Sequence, residues 1–328
     1  MSINPSPEKE KSGAIFPPYL ALAFAILAVS ASSIFIRLAQ AEASSLVIAA
    51  YRLIISAVLL AVPAILKNTA EIRQLSGKQW GLILLSGFFL AVHFASWITS
   101  LTYTSIASSV VIVTSTPLWV ALFSPVLLKE QIPQRVKWGL AIAMIGAVLV
   151  GSASFLESGT IGSIFSGYGT LWGQFLALIG ALTVAGYFII GRRMRQQISL
   201  LTYTFLVYGS AALILLLLVA FYRLPMGGYS ASIYLLFIAM AVFPQLLGHS
   251  TFNWALKYVP VSVVSIVTLG EPIGATILAY FLLNESPHIL EIVGGGILLT
   301  GIVLAGLHEK PEKNPVPIVE NYPVDSVD

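Results

Sequence analysis

Residues 113–151, VTSTPLWVALFSPVLLKEQIPQRVKWGLAIAMIGAVLVG, have a counterpart at 268–306, TLGEPIGATILAYFLLNESPHILEIVGGGILLTGIVLAG, displaced by 155 residues without a gap. In that register Pro117 matches Pro272, Glu130 matches Glu285, and Gly139, Gly146 and Gly151 match Gly294, Gly301 and Gly306. Upstream, the same displacement pairs Leu101 with Leu256 and Tyr103 with Tyr258, then Arg37 with Arg192, Ser44 with Ser199 and Leu46 with Leu201. Leucine pairs alone arise by chance in any apolar chain. Proline, tyrosine, glutamate and glycine recurring in one register mark an internal repeat.

The repeat lies in a chain of 328 residues that is 57% hydrophobic and 9% charged. A water-soluble domain carries about 25% charged residues, so water is not the main solvent here. Apolar stretches of roughly 18 to 23 residues match a hydrocarbon core of about 30 Å at about 1.5 Å per helical residue. They fall at 17–39, 46–66, 79–101, 106–128, 136–153, 171–191, 200–222, 232–254, 261–283 and 288–307. The expected fold is therefore an all-α membrane protein of ten transmembrane helices. Because each half holds five, an odd number, the second copy enters the membrane from the opposite side and forms an inverted repeat around a central cavity. The expected organisation is a cytoplasmic N-terminal tail at 1–16, five-helix repeats at 17–153 and 171–307, an external connection at 154–170, and a proline-rich, disordered cytoplasmic tail at 308–328.

Charge placement sets the orientation. Of 17 Lys and Arg residues, 14 lie on one side of the expected spans, in the tails and alternate connections: Lys9, Lys11, Lys67, Arg73, Lys78, Lys129, Arg135, Lys137, Arg192, Arg193, Arg195, Lys257, Lys310 and Lys313. Only Arg37, Arg52 and Arg223 lie on the other side. By the positive-inside rule both termini are expected to be cytoplasmic. The net charge of +3 and pI of about 9.0 thus reflect topology rather than a nucleic-acid partner. Lys9 and Lys11 before an apolar run, with Ala39-Gln40-Ala41 behind it, imitate a signal peptide. The run is too long for one, and we read it as a retained first span. With no cysteine, there is neither a disulfide framework nor a thiolate metal site.

Polar side chains at membrane depth are expensive and mark candidate sites. Glu271 lies midway along the ninth stretch in Thr268-Leu269-Gly270-Glu271-Pro272, where proline and glycine loosen the helix and can expose carbonyls to a cavity. It can bind a substrate ammonium group or accept a proton for coupling, or simply hold the break. Its repeat counterpart is Thr116. His93, Trp97 and Ser100 share one helical face, and Gln245, His249, Phe252 and Asn253 share another, with Phe252 at the repeat position of Trp97. Polar groups interleaved with aromatics suit a pocket for an amphipathic organic solute; interhelical hydrogen bonding is the plainer account. Arg52 can pair with a substrate carboxylate or Glu271, or snorkel to the interface. Two histidines do not make a zinc site, and no cofactor is expected. The repeated glycines permit close helix packing, and Lys129-Glu130 and Asn284-Glu285 are read as caps or tethers. No nucleotide-binding loop, metalloprotease histidine pair or nucleophile elbow is present, so the chain is not expected to be an enzyme. The rival to a secondary transporter is a sensor or assembly protein that keeps the fold without transporting.

Gly270-Glu271-Pro272, Leu282-Leu283-Asn284-Glu285, Gly294 and Gly301, with the weaker block Thr116-Pro117, Lys129-Glu130, Gly139 and Gly146 and with Tyr51-Arg52, resemble the EamA-type branch of the drug/metabolite transporter superfamily. The resemblance implies a helical bundle around a central cavity and, commonly, export of amino acids, metabolites or drugs across the bacterial inner membrane. The 17–39 stretch has no acid and so lacks the first-span glutamate of the small four-span multidrug relatives. Their proton mechanism is not carried over.

Overall fold

The computed structural model describes residues 17–104, 106–157, 168–283 and 289–306. Both expected tails, most of the 154–170 connection and the Asn284-Glu285 pair lie outside them. The described residues form helix and no strand. In chain order the helices are α1 (Pro18–Ser30), α2 (Ser32–Ala39), α3 (Ser45–Arg73), α4 (Gly77–Tyr103), α5 (Ile106–Val113), α6 (Thr116–Leu127), α7 (Gln134–Glu157), α8 (Tyr168–Arg195) and α9 (Leu200–Phe221). They continue with α10 (Ala231–Met240), a π-helical segment (Ala241–His249), α11 (Ser250–Ala255), α12 (Val261–Thr268), α13 (Glu271–Leu283) and α14 (Ile289–Gly306). Six apolar helical stretches are long enough to cross a membrane, and Thr116–Leu127, Val261–Ala275 and Ile292–Ala305 are shorter apolar helices.

Several helices begin where the sequence supplies a cap. Ser76 and Gln79 form a reciprocal capping box at α4, and the Ser199 hydroxyl accepts from the Thr202 amide at α9; such caps are worth about 1 kcal/mol each. α3 runs seven residues past the expected limit of 66. The added turns carry Asn68 and Glu71, whose side chains reach the Ser199 hydroxyl that caps α9. Large apolar side chains such as Val62, Leu66, Val126, Leu217 and Phe221 cover the exterior. A soluble protein would not leave so much of its apolar surface bare.

The two halves meet with exchanged partners. α4 packs on α8 while α1 packs on the π segment, and α6 packs on α8 while α1 packs on α13; α3 with α9 and α7 with α14 are pairs of equivalent helices. A Cβ added at Gly139 would lie 2.7 Å from the Gly301 carbonyl, and one at Gly146 would lie 2.6 Å from the Gly294 carbonyl. Residue number rises along α7 as it falls along α14 at these contacts. The equivalent helices are therefore antiparallel, as an inverted repeat requires, and the repeated glycines let their backbones touch.

Breaks also repeat. α5 ends at Val113 and α12 at Thr268, while α6 begins at Thr116 and α13 at Glu271; each pair is separated by 155 residues. The reason is the matched prolines, Pro117 and Pro272, which fit the first turn of a helix but cannot continue one already running. Two irregularities do not repeat. α1 and α2 are divided at Ala31, while α8, their counterpart, is continuous. The π segment contains Pro244, whose counterpart Phe89 lies inside the unbroken α4. Proline at 244 removes one amide donor and crowds the carbonyl four residues back, and the wider π turn accommodates both.

Candidate functional site

The breaks and the π segment surround a cavity at the centre of the bundle. Val29, Ser32, Arg52, His93, Trp97, Val113, Thr114, Thr116, Val184, Phe188, His249, Phe252, Thr268 and Glu271 line it. Four pairs among them are related by 155 residues: Val29 with Val184, Trp97 with Phe252, Val113 with Thr268, and Thr116 with Glu271. The cavity thus lies on the axis that relates the two halves. It holds about 50 Å³ of solvent space, room for a few water molecules. An organic solute enters only if the surrounding helices part.

Five of the seven residues singled out from the sequence reach this cavity: Arg52, His93, Trp97, His249 and Glu271. His93 Nδ1 is 2.9 Å from the Gly180 carbonyl, and its ring stacks on Trp97 with centroids 5.8 Å apart and planes at 17°. His249 lies 6.4 Å from His93, centroid to centroid, and 5.3 Å from Phe94. Glu271 opens α13, and its backbone carbonyl accepts from Ser30 Oγ at 3.1 Å. Trp97 Nε1 and His249 Nδ1 are buried and have no hydrogen-bond partner among the described residues.

Gln245 and Asn253 do not line the cavity. Gln245 Oε1 accepts from Arg52 Nε at 2.7 Å, behind the cavity wall. Asn253 Nδ2 donates to the Tyr187 hydroxyl and, at 2.8 Å, to the His249 carbonyl, which ties α11 to α8. Ser100, on the same face as His93 and Trp97, is likewise taken up: its hydroxyl donates to the Trp97 carbonyl at 2.6 Å and lies 2.5 Å from the Ser109 hydroxyl.

Arg52 does not snorkel. It is 0% exposed, donates from Nη1 to Ser32 Oγ at 2.8 Å, and has its guanidinium carbon 4.2 Å from the Phe94 ring centroid. α3 holds it inside the bundle, where Gln245 and Ser32 engage its side chain. The α1–α2 break brings Ser32 to meet it. No carboxylate among the described residues lies within 4.0 Å of it, since the Arg192–Glu130 pair is the one ion pair found there. The cavity therefore presents a guanidinium and a carboxylate that are not paired with each other, between aromatic walls.

Sequence reasoning did not single out Ser32, Thr114, Val113, Thr268, Val29, Val184 or Phe188 as cavity residues. Applying the 155-residue displacement to each helix break would have found Val113 with Thr268. Ser32 carries no signal beyond its place in Ser30-Ala31-Ser32-Ser33.

The EamA-like transporter family model matches residues 17–152 and 171–307. An uncharacterized transporter of Archaeoglobus fulgidus is 24% identical over 292 residues, 87% of this chain and 96% of that one. A second from the same organism is 28% identical over 219 residues, 66% of this chain and 72% of the relative. The uncharacterized transporter YyaM of Bacillus subtilis is 25% identical over 275 residues, covering 81% of this chain and 86% of its own. A solved structure described as a crystal structure of protein superposes with a TM-score of 0.74 at 16% identity, over 88% of this chain and 96% of the other. That likeness concerns the fold.

Proposed function

Since the chain belongs to the EamA-like transporter family, we propose that it is a secondary transporter that moves small organic solutes through the central cavity by alternating access, in the direction of export. The observation that carries this is the cavity itself: four repeat-related pairs line it, and at one pair the repeat places Thr116 opposite Glu271. An inverted repeat has two conformations of nearly equal energy, reached when the halves exchange shapes. A site on the axis is then open to one side in each. The small solvent space supports the same reading, because a solute-sized site has to be made by separating helices that are already broken at α1–α2, α5–α6 and α12–α13.

In this reading all ten helical stretches cross the cell membrane, both termini are cytoplasmic, and the halves are 17–153 and 171–307. The substrates are amino acids, metabolites or drugs with an apolar body and a charged end. Trp97, Phe188 and Phe252 take the body. Glu271 takes a cationic group or a coupling proton, and Arg52 takes an anionic group. His93 and His249 contribute polar edges, with Gln245 and Asn253 behind them.

The test is solute binding and counterflow with purified protein in liposomes, using amino acids, nucleosides, polyamines and hydrophobic cations. Trp97→Ala is expected to weaken binding about tenfold through lost aromatic contact, and Glu271→Gln to remove the proton dependence of flux or the affinity for cationic solutes. Unchanged flux in both variants would favour a sensor or assembly protein on the same fold.

A further inference from the structure

We propose that Gln245 is a positioning residue that sets Arg52 as the receptor for an anionic group on the transported solute. This rests on the central cavity being the solute site. A guanidinium has five N–H donors and no acceptor. In Arg52 the Nε donor goes to Gln245 at 2.7 Å and one Nη1 donor goes to Ser32 at 2.8 Å. The other three, both on Nη2 and one on Nη1, meet no acceptor among the described residues. One donor on Nη1 together with one on Nη2 would match a carboxylate or phosphate in two parallel hydrogen bonds.

Three contacts hold the guanidinium: Gln245 at Nε, Ser32 at one Nη, and the Phe94 ring, whose centroid is 4.2 Å from the guanidinium carbon. Gln245 is a neutral acceptor, so it directs the guanidinium without cancelling its charge. Glu271 lines the same cavity yet lies beyond ion-pair distance, so no salt bridge occupies the guanidinium among the described residues.

Gln245 follows Pro244 in the π segment, and π turns inside α-helices frequently accompany functional sites. The repeat shows how specific the arrangement is. The positions equivalent to Arg52 and Gln245 are Val207 and Leu90, both buried apolar residues. The first half therefore holds apolar packing where the second half supplies the acceptor for the arginine.

The experiment measures binding by the purified full-length protein to leucine, phenylalanine and succinate and to their methyl esters, which lack the anionic group. The unaltered protein is expected to favour at least one acid over its ester by about tenfold or more, the range of a hydrogen-bonded charged group. Arg52→Gln is expected to erase that preference. Gln245→Met, which keeps the volume and removes the acceptor, is expected to weaken the favoured acid about tenfold and leave its ester unchanged. Gln245→Glu keeps the acceptor but supplies its own anion, and is expected to abolish the preference as Arg52→Gln does. Equal weakening of acid and ester by Gln245→Met would mean a merely structural role and would overturn the proposal. So would an unaltered affinity for the acid in that variant, or acid and ester bound alike by the unaltered protein. Failure of the underlying site is distinguishable: Trp97→Ala would then leave acid and ester affinities untouched. Loss in Trp97→Ala with no loss in Gln245→Met would refute only the positioning role.

Discussion

A charged side chain at the bilayer centre costs about 2.5–3.5 kcal/mol on insertion scales, and Arg52 is wholly enclosed. Two hydrogen bonds and the face of Phe94 offset part of that cost. No carboxylate lies within ion-pair distance of it among the described residues. At the molecular surface the opposite arrangement occurs. Glu42, in the exposed turn after α2, accepts from the Ser230 hydroxyl at 2.6 Å and from the Ser230 amide at 2.8 Å, so it closes the N-terminus of α10 across 188 residues of sequence. These bonds hold its carboxyl below the ordinary value of 4.5, the Ser230 hydroxyl being the larger cause. A depressed folded-state pKa contributes stability that is present above the unfolded value and lost as pH falls through the folded one. Glu42→Gln is therefore expected to lower the melting temperature at neutral pH, and the difference from the unaltered protein is expected to vanish in strong acid. A difference that persists unchanged across that range would show that the carboxylate charge does not matter.

Among the elements, the irregular ones do the positioning. Val113 and Thr268 end α5 and α12 against the cavity, and Thr116 and Glu271 open the helices that follow. α7 and α14 are continuous and meet through glycine. An added Cβ at Gly146 would lie 2.4 Å from the Leu298 amide nitrogen, whereas one at Gly296, on the same α14, would have nothing within 4 Å. Backbone atoms cannot swing aside as a side-chain end can. Gly146→Ala is expected to destabilise the protein by about 1–3 kcal/mol, the usual cost of overpacking, while Gly296→Ala is expected to leave its thermal stability intact. Equal melting temperatures for the two variants would refute the close α7–α14 contact.

Across the whole molecule the two ends differ. At one end Arg192 Nε pairs with Glu130 at 2.7 Å and its Nη1 donates to the Leu256 carbonyl at 2.8 Å, so that α8, the end of α6 and the end of α11 are tied together. Arg195 is buried beside them and donates to the Asn253 carbonyl at 3.2 Å, although the sequence placed it in a charged connection. At the other end the equivalent Arg37 is exposed, has no such partner among the described residues, and borders a cleft of about 610 Å³. Charge counting expects the tied end to face the cytoplasm. The chain has no cysteine, so single introduced cysteines give clean labelling. Gly77→Cys is expected to react only from the cytoplasmic side and Gly227→Cys only from outside; an added Cβ at Gly77 would have nothing within 4 Å, and one at Gly227 only the Tyr234 hydroxyl at 3.8 Å. Labelling of both from one side would refute this orientation.

Much of this protein is set by local sequence. Apolar runs fix where helices form, matched prolines fix where α5 and α12 stop, and matched glycines fix which helices can touch. These are short-range effects of backbone donors, sterics and transfer from water, and they survive without knowledge of neighbours. The candidate site was legible wherever a costly polar residue stood at membrane depth, as with Glu271, His93, Trp97 and His249. Which way a side chain points depends on its partners, and here the sequence misleads. Gln245 and Asn253 share a helical face with His249, but Arg52 and Tyr187 draw them away from the cavity. Arg52 itself reads as an interfacial side chain until Ser32, 20 residues earlier, and Gln245, 193 residues later, are brought against it. The sequence by itself determined the repeat, its odd number of apolar stretches per half, and the loosened helix at Gly270-Glu271-Pro272. The tertiary structure decided that Arg52 and Glu271 line one cavity without pairing, because that depends on acceptors contributed by helices far apart in the chain.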